Sequence, residues 1–341
     1  MTRTLVALAG AAILSAQTAT PLVRSHLVWF DRAGKRLGTL GELGDIGNIE
    51  LSPDGKQVAV ALLDTAIGTR DLWMIDVADG RRTRFTSSPA DENWLIWSPD
   101  GRRVMMNAFS RTSIELLETA SDGTGMPRTA LTDTGGVWPV SWSPDGRNVL
   151  YVRNDQVTGN DVWVLPLADG AKPYPFLHSR AAENWAAFSP DGKWVAFSST
   201  EAGSSQVYVS RFPEGGQKWL VSADGGSQAR WRHDGREIFY LSPDRKLMAA
   251  PLTVREGEIE VGAIEPLFEI NLPYAPYHAF AVAPDGQRFL VNMLVVSSGP
   301  GANARTARSD QSGLGTAAGA AVGLRAKAIA ANATSARPAA P

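Results

Sequence analysis

Large apolar residues alternate with polar ones on both sides of a short turn that the chain repeats six times. In the copy Phe188–Phe197, FSPDGKWVAF, apolar side chains stand three residues before the turn aspartate and four and six residues after it. A period of two is typical of a β-strand that buries one face. The same three positions are apolar in all six copies. Each copy therefore predicts two antiparallel strands joined by the turn.

The turn carries the residues that a type I turn prefers, with Ser first, Pro second and Gly fourth. Its aspartate could instead ligate a metal or act as an acid or base. A role in the turn, however, explains the aspartate in every copy. The fifth copy also replaces the neighbouring Ser-Pro by Arg232-His233, which argues against a set of equivalent ligands. We therefore predict a structural role for all six aspartates, which are Asp54, Asp100, Asp145, Asp191, Asp234 and Asp285.

These aspartates recur every 43–51 residues, and a second strand pair such as DLWMIDVADG follows the first pair in most units. A strand-rich repeat of 40–50 residues is the signature of a propeller. The sequence thus predicts an all-β fold, a six-bladed β-propeller of four-stranded antiparallel blades over residues 26–297.

The last unit lacks its second strand pair, whereas the chain begins with a strand pair that no repeated turn precedes. Residues 26–41 are therefore predicted to close the ring by completing the sixth blade beside residues 278–296. Closure would cover strand edges that otherwise promote aggregation.

Both ends differ from the repeats in composition. Residues 1–25 have a basic start, a short apolar run and small polar residues, the order of a secretory signal peptide. This predicts a periplasmic or extracellular protein; the alternative is a leader without a targeting role in a cytoplasmic protein. Residues 298–341 are rich in Ala and Gly and are predicted to be disordered. Neither end is long and apolar enough for an integral membrane span.

The composition also limits the kinds of site and partner that we expect. The chain has no Cys and only four scattered His, so we expect no disulfide, metal site or cofactor. Because both ends are basic, the repeat region is more acidic than the net charge of −2 indicates, which argues against a nucleic-acid partner.

The six units follow the pattern W/F-S-P-D-G fully or in part, and several are followed by D-L/V-W and A-D-G. They resemble the WD40-like repeats of TolB-type proteins. Segments such as LVWFDRAGKRLGTLG and GGSQARWRHDGREIFYL more closely resemble the propeller domain that follows the kinase domain in many bacterial serine/threonine kinases. The resemblance covers about residues 26–295 and extends to the propellers of prolyl-oligopeptidase-type peptidases. The chain departs from it in having no Gly-rich loop, HRD or DFG motif, and in the Ala/Gly-rich segment that follows RFLVN.

No catalytic residues are predicted, because the chain lacks the Gly-x-Ser-x-Gly nucleophile motif. Asp91, Glu92 and Glu183 precede strands in polar loops, where we expect solvated side chains.

Polar or aromatic residues recur six or seven positions before each turn aspartate, where propeller loops share one face. They predict a binding rim around the mouth of the central channel, since Trp and Tyr suit recognition surfaces. Alternatively, the Trp side chains wedge between neighbouring blades. The predicted rim residues are Asn48, Asn93, Trp94, Trp138, Asn184, Trp185, Gln228, Tyr277 and His278.

The function predicted from these features is a monomeric, non-catalytic, sensor-like binding module or scaffold for a protein or peptide. Two alternatives stay open. One is a detached kinase sensor domain with no independent role, and the other is a propeller hydrolase or lyase with its site at the channel mouth.

Overall fold

The computed structural model describes residues 24–110, 113–272 and 277–295, and within them every regular element is a β-strand. Six antiparallel sheets form the blades of a propeller, which confirms the predicted fold class. The predicted disordered segment 298–341 lies outside the described residues, as does the predicted leader 1–25 except for Arg24 and Ser25.

The strands are numbered in chain order and assigned to blades. β1 (Ser25–Asp31) and β2 (Arg36–Gly44) belong to blade 6. Blade 1 contains β3 (Ile46–Leu51), β4 (Gln57–Asp64), β5 (Thr69–Asp76) and β6 (Arg82–Arg84). Blade 2 contains β7 (Leu95–Trp97), β8 (Arg103–Phe109), β9 (Ile114–Ala120) and β10 (Arg128–Asp133). Blade 3 contains β11 (Val137–Trp142), β12 (Asn148–Asp155), β13 (Gly159–Pro166) and β14 (Tyr174–Leu177).

Blade 4 contains β15 (Glu183–Phe188), β16 (Trp194–Ser199), β17 (Gln206–Arg211) and β18 (Lys218–Leu220). Blade 5 contains β19 (Ser227–Trp231), β20 (Glu237–Leu241), β21 (Lys246–Arg255), β22 (Glu258–Val261) and β23 (Glu265–Glu269). Blade 6 is completed by β24 (Phe280–Val282) and β25 (Arg288–Leu294).

The repeated turn joins the first two strands of every blade. Its aspartate accepts a hydrogen bond from the backbone N–H two residues further on, at 2.8–3.1 Å in all six copies. In the four Ser-Pro copies the Ser hydroxyl also donates to the aspartate at 2.6–2.7 Å. These bonds hold the pKa of Asp54, Asp100 and Asp145 below its ordinary value. The turn glycines have φ of 65–73°, a conformation that favours glycine.

The two ends of the described chain meet in blade 6. β1 pairs with β25 from Ser25 opposite Leu294 to Asp31 opposite Arg288, and β2 lies outside β1. The strand order β24-β25-β1-β2 confirms that the N-terminal strands complete the sixth blade. They begin one residue before the predicted boundary, and β2 extends to Gly44.

The hydrophobic core lies between neighbouring blades. One cluster joins Leu27 and Leu40 of blade 6 to Ile49 and Val58 of blade 1. Another joins Phe239 of blade 5 to residues of blade 6. Each sheet thus packs both faces against its neighbours, which explains the apolar positions shared by all six repeats.

Blade 5 carries an additional strand. The first half of β21 pairs with β23, as in a four-stranded blade, and its second half continues beyond the blade to pair with β22. Glu258 of β22 accepts a hydrogen bond from Trp219 Nε1 at 2.9 Å, which attaches the extension to blade 4. A cavity of about 680 Å³ lies beneath it, between the repeated turns of blades 4 and 5.

Across the described ranges no helix has the length and hydrophobicity of a membrane-spanning segment.

The closing strand pair should be essential for stability. Leu27 of β1 is fully buried, so Leu27→Ala should lower the free energy of unfolding by about 2–5 kcal/mol. Leu37 of β2 is 48% exposed, and Leu37→Ala is the matched control, expected to change it by less than about 0.5 kcal/mol. Denaturant titration would measure both. Equal effects of the two substitutions would contradict a stabilising role for closure.

Candidate binding site at the channel mouth

The channel mouth is formed where the innermost strands begin, at the end remote from the repeated turns. Pairing of the first two strands is irregular at this end in blades 1, 3, 4 and 5. Trp185 and Gln228 both have φ of 57° there, a left-handed conformation that is uncommon for residues other than glycine. Such irregularities redirect side chains. They are the backbone feature that sets the rim apart from the regular strands below it.

Aromatic rings from alternate blades meet at the centre of the mouth. The ring centroids of Trp94, before blade 2, and Trp185, in blade 4, are 5.7 Å apart. The ring of His278, before blade 6, lies 5.5 Å from Trp94 and 4.9 Å from Trp185, and that of Tyr277 lies 5.8 Å from Trp94. Only side chains that reach the ring axis can touch from three alternate blades. We call Trp94, Trp185, Tyr277 and His278 the aromatic cluster.

A largely buried ion pair lies beside this cluster. Arg230 of β19 binds Glu50 of β3 through two hydrogen bonds of 2.6 and 2.9 Å. The Nη2 atom of Arg230 also lies 2.5 Å from Nδ1 of His278. Glu50 lies further from that nitrogen, at 3.5 Å. The guanidinium therefore donates to Nδ1, which leaves the ring proton of a neutral imidazole on Nε2.

Electrostatics keep this imidazole neutral. Burial, together with the positive charge of Arg230, lowers the pKa of His278 from 6.5 to about 4. Burial acts to raise the pKa of Glu50, but Arg230 and His278 outweigh it, and the pKa of Glu50 lies below its ordinary value. At neutral pH the mouth therefore contains a compensated Arg–Glu pair and an uncharged histidine.

Three predicted rim amides connect neighbouring blades. Asn48 Oδ1 accepts from the backbone N–H of His278 at 3.1 Å. Gln228 accepts from the N–H of Ala279 at 2.8 Å and donates to the carbonyl of Tyr277 at 3.1 Å. Asn184 Oδ1 accepts from the amide of Asn160 at 2.7 Å. These side chains position the segments that carry the aromatic cluster, since the side-chain oxygen of each already accepts a hydrogen bond within the protein.

The other two predicted rim residues do not belong to the cluster. Trp138 packs against the hydrophobic core between blades 3 and 4, together with Val140 and Val152. This is the position between blades that the alternative interpretation of the Trp side chains predicts. Asn93 is half-buried next to Trp94. Their participation in binding stays a prediction.

Sequence reasoning missed Glu50 and Arg230. Both stand four residues before a turn aspartate, on the innermost strand. The equivalent positions of the other blades hold uncharged residues, namely Ile96, Ser141, Ala187 and Ala281. The sequence signal for this ion pair was that two blades carry opposite charges at a repeat position where the other four blades carry uncharged residues.

The expectation that Glu92 and Glu183 are solvated is wrong. Their relative exposures are 2% and 0%. The loop before blade 2 folds back onto blade 1, as shown by the 3.0 Å hydrogen bond from the N–H of Glu92 to the carbonyl of Arg70. Asp91, predicted to be solvated as well, is half-buried and accepts from the N–H of Arg70 at 2.7 Å.

Solved structures of other proteins share this fold. A structure named "putative TolB" from Agrobacterium tumefaciens matches 80% of this chain and 99% of its own, with a TM-score of 0.62 and 22% identity. TolB from Acinetobacter baumannii matches 79% of this chain and 63% of its own, with a TM-score of 0.50 and 16% identity. The fold is that of a TolB-like β-propeller. No protein-family model matches the chain.

Proteins named as enzymes share this architecture. An oligogalacturonate lyase from Vibrio parahaemolyticus matches the TolB-like propeller with a TM-score of 0.50 at 13% identity, over 78% of each chain. Among curated proteins, an uncharacterized protein of Agrobacterium fabrum is 25% identical over 56% of this chain, and dipeptidyl-peptidase 5 of Porphyromonas gingivalis is 20% identical over 60%. This chain spans 66% and 38% of their lengths. The resemblance to kinase-associated propellers stays a prediction.

The buried histidine predicts a pH dependence of stability. In the unfolded chain His278 binds a proton near pH 6.5, whereas the folded protein binds it only near pH 4. The unfolded state thus holds more protons within this window, and stability falls as the pH falls through it. The free energy of unfolding should decrease by on the order of 3 kcal/mol from pH 6.5 to 4.

Denaturant titrations at several pH values would measure this slope in the wild type and in His278→Gln. The variant should lose most of the slope between pH 6.5 and 4. His233→Gln, at an exposed histidine, is the matched control and should retain it. An unchanged slope in His278→Gln would contradict the assignment.

Proposed function

We propose that this TolB-like propeller is a non-catalytic binding module for a protein or peptide partner. Its contact surface would be the aromatic cluster, through the half-buried Trp185 and Tyr277, with the buried Trp94 and His278 supporting them from below. The observation that carries the proposal is the convergence of Trp94, Trp185, Tyr277 and His278 at the channel mouth. Aromatic side chains offer a large contact area for a small loss of conformational entropy, and they dominate recognition surfaces.

The charge balance around the cluster supports a peptide as the ligand. Arg230 is paired with Glu50 at 2.6 Å. Arg70 lies over the Tyr277 ring at 5.5 Å and is paired with Asp45 at 2.7 Å. Since both arginines have a carboxylate partner, the mouth carries no excess charge. Main-chain carbonyl groups are uncharged acceptors that fit such a site.

The chemistry of the mouth supports binding rather than catalysis. Glu50 is held by both guanidinium nitrogens of Arg230, and Nδ1 of His278 is occupied by the same group. A general base needs a free lone pair within reach of the substrate proton. We further propose that the protein acts outside the cytoplasm, which rests on the signal-like composition of residues 1–25.

A phage-displayed library of random peptides, selected on the full chain, tests the binding proposal. Trp185→Ala should weaken the selected peptides by about 30-fold, the effect of losing roughly 2 kcal/mol at a hot spot. Trp219→Ala is the matched control because Trp219 is also half-buried and lies on the outermost strand of the same blade. Titration calorimetry would measure both affinities. Peptides that bind Trp185→Ala as tightly as the wild type would contradict the proposal.

A propeller hydrolase or lyase is the second candidate, favoured by the contact of His278 with Arg230 and Glu50. A panel of ester, peptide and glycoside substrates distinguishes it from the first. We expect no turnover by the wild type above that of His278→Gln. Turnover of one substrate class that His278→Gln abolishes, while its circular dichroism spectrum stays unchanged, would establish the enzyme instead.

A further inference from the structure

The last part of β21 has an edge that no described strand covers. β20 pairs with β21 as far as Glu237 opposite Pro251, and β21 then continues to Arg255 beside β22 alone. We call residues 252–261 the ribbon, which extends blade 5 past its repeated turn. On the side where β20 ends, the ribbon therefore presents an unpaired strand edge, a feature that native proteins usually protect.

The hydrogen-bond register identifies the backbone groups on this edge. The N–H of Gly262 donates to the carbonyl of Pro251 at 2.8 Å, so position 251 bonds toward β22. Alternate residues of an antiparallel strand bond to opposite sides, and Leu252 and Val254 therefore bond away from β22. The N–H of Leu252 does so, donating to the carbonyl of Arg236 at 2.8 Å. Val254 stands beyond that contact, so its N–H and carbonyl groups point to the free edge.

The free edge borders the cavity between the repeated turns of blades 4 and 5. Leu252 and Val254 line this cavity, and because they are two residues apart they share one face of the ribbon. Leu252 packs in one hydrophobic cluster with Trp194 and Trp231, which also line the cavity. Val254 is 51% exposed. The cavity thus has an aromatic floor and an apolar wall that is open to solvent at Val254.

Contacts with blade 4 hold the ribbon in place. Arg211 donates to the carbonyl of Gly257 at the tip of the ribbon. The side chains of Trp219 and Gln217 donate to Glu258 at 2.9 and 3.2 Å. The edge is therefore formed before any partner arrives, which lowers the entropic cost of binding to it.

An extended peptide fits both the edge and the cavity. A strand added along the edge exchanges hydrogen bonds with Val254, and its alternate side chains point to the same face as Leu252 and Val254. Two apolar side chains separated by one residue therefore enter the cavity together. The cavity volume of about 680 Å³ lies in the range of ligand pockets, roughly 300–1,000 Å³. A compact apolar molecule would fill the cavity but leave the edge unpaired.

Charges at the tip of the ribbon indicate which peptides fit best. The ribbon carries Glu256, Glu258 and Glu260 and a single cation, Arg255, which pairs with Glu260 at 3.4 Å. Glu256 and Glu258 thus leave the tip with negative charge. Complementary charge favours a basic residue where the peptide passes the tip.

We propose that the ribbon binds an extended segment of another polypeptide, which adds a strand to the free edge of β21 and places two alternate apolar side chains in the cavity. The segment has the pattern apolar-x-apolar with a basic residue at one end. The site lies on the face of the repeated turns, remote from the aromatic cluster, and it does not rest on the function proposed for the mouth.

A phage-displayed library of random peptides tests this site when it is selected on Trp185→Ala, which lacks the proposed contact at the mouth. Peptides with the apolar-x-apolar pattern should be enriched. In the same background Val254→Pro removes the N–H of the free edge but no hydrogen bond to β22, so the ring should keep its circular dichroism spectrum and Tm. It should weaken the enriched peptides by about tenfold, measured by titration calorimetry on synthetic copies.

Val254→Lys tests the apolar wall separately, because it keeps the backbone N–H. It should weaken the same peptides as well, since the lysine replaces an apolar contact and repels their basic residue. Leu220→Lys is the matched control and should leave the affinity unchanged, because Leu220 is also 51% exposed and lies on the outermost strand of blade 4. The proposal is overturned if no peptide is enriched, or if the enriched peptides bind both Val254 variants as tightly as their parent.

Amide hydrogen exchange distinguishes strand addition from mere filling of the cavity. In the free protein the N–H of Val254 should exchange readily, whereas that of Thr253, which bonds toward β22, should be protected. A saturating synthetic peptide should slow the exchange at Val254 by about tenfold or more and leave Thr253 unchanged. Unchanged exchange at Val254 with the peptide bound would overturn strand addition.

The two sites of this chain are tested independently. Peptides selected on the wild type that need Trp185 report on the mouth, whereas peptides selected on Trp185→Ala that need Val254 report on the ribbon. Failure of the first selection alone would contradict the proposed function, and failure of the second alone would contradict the site on the ribbon.

Discussion

Closure of the ring is the constraint on which the rest of this structure depends. The pairing of β1 with β25 joins the two ends of the described chain and turns six equivalent sheets into a circle in which each sheet has two neighbours. Polar contacts stabilise the same junction. Arg32 makes a bidentate ion pair of 2.8 Å with Glu237 of blade 5, and Asn292 donates to the carbonyl of Ile46 in blade 1 at 3.0 Å. The Arg230–Glu50 pair crosses blade 6 as well, from blade 5 to blade 1.

Closure also determines the composition of the mouth. Because every innermost strand begins on the same face, residues up to 230 positions apart, such as Asn48 and His278, come into hydrogen-bond contact. The resulting site combines aromatic surface with charges that are already compensated. In the proposed binding role the half-buried rings of Trp185 and Tyr277 would provide the contact area, while the amides of Asn48 and Gln228 hold the backbone beside them.

The positions that repeat in all six blades have a structural role, whereas the positions that differ between blades form the candidate site. The six turns repeat the same aspartate contact because each has the same task of joining two strands. Around the mouth the copies differ, and there the chain places an Arg–Glu pair in blades 5 and 1 and the sequence Glu-Asn-Trp at residues 92–94 and 183–185. Glu92 and Glu183 are buried there, and each accepts a hydrogen bond from a serine hydroxyl, Ser88 or Ser179.

The sequence alone determined the strands, the number of blades, the closing strands and the face that carries the variable residues. Strand alternation and turn preferences are local properties, and a sixfold repeat reveals them six times. Only the tertiary structure decided that Glu50 meets Arg230, that Trp138 packs between blades while Trp94 and Trp185 meet at the axis, and that Glu92 and Glu183 are buried. These outcomes depend on contacts between blades and on how each loop folds back. Side chains far apart in the chain acquire such neighbours only when the ring is complete.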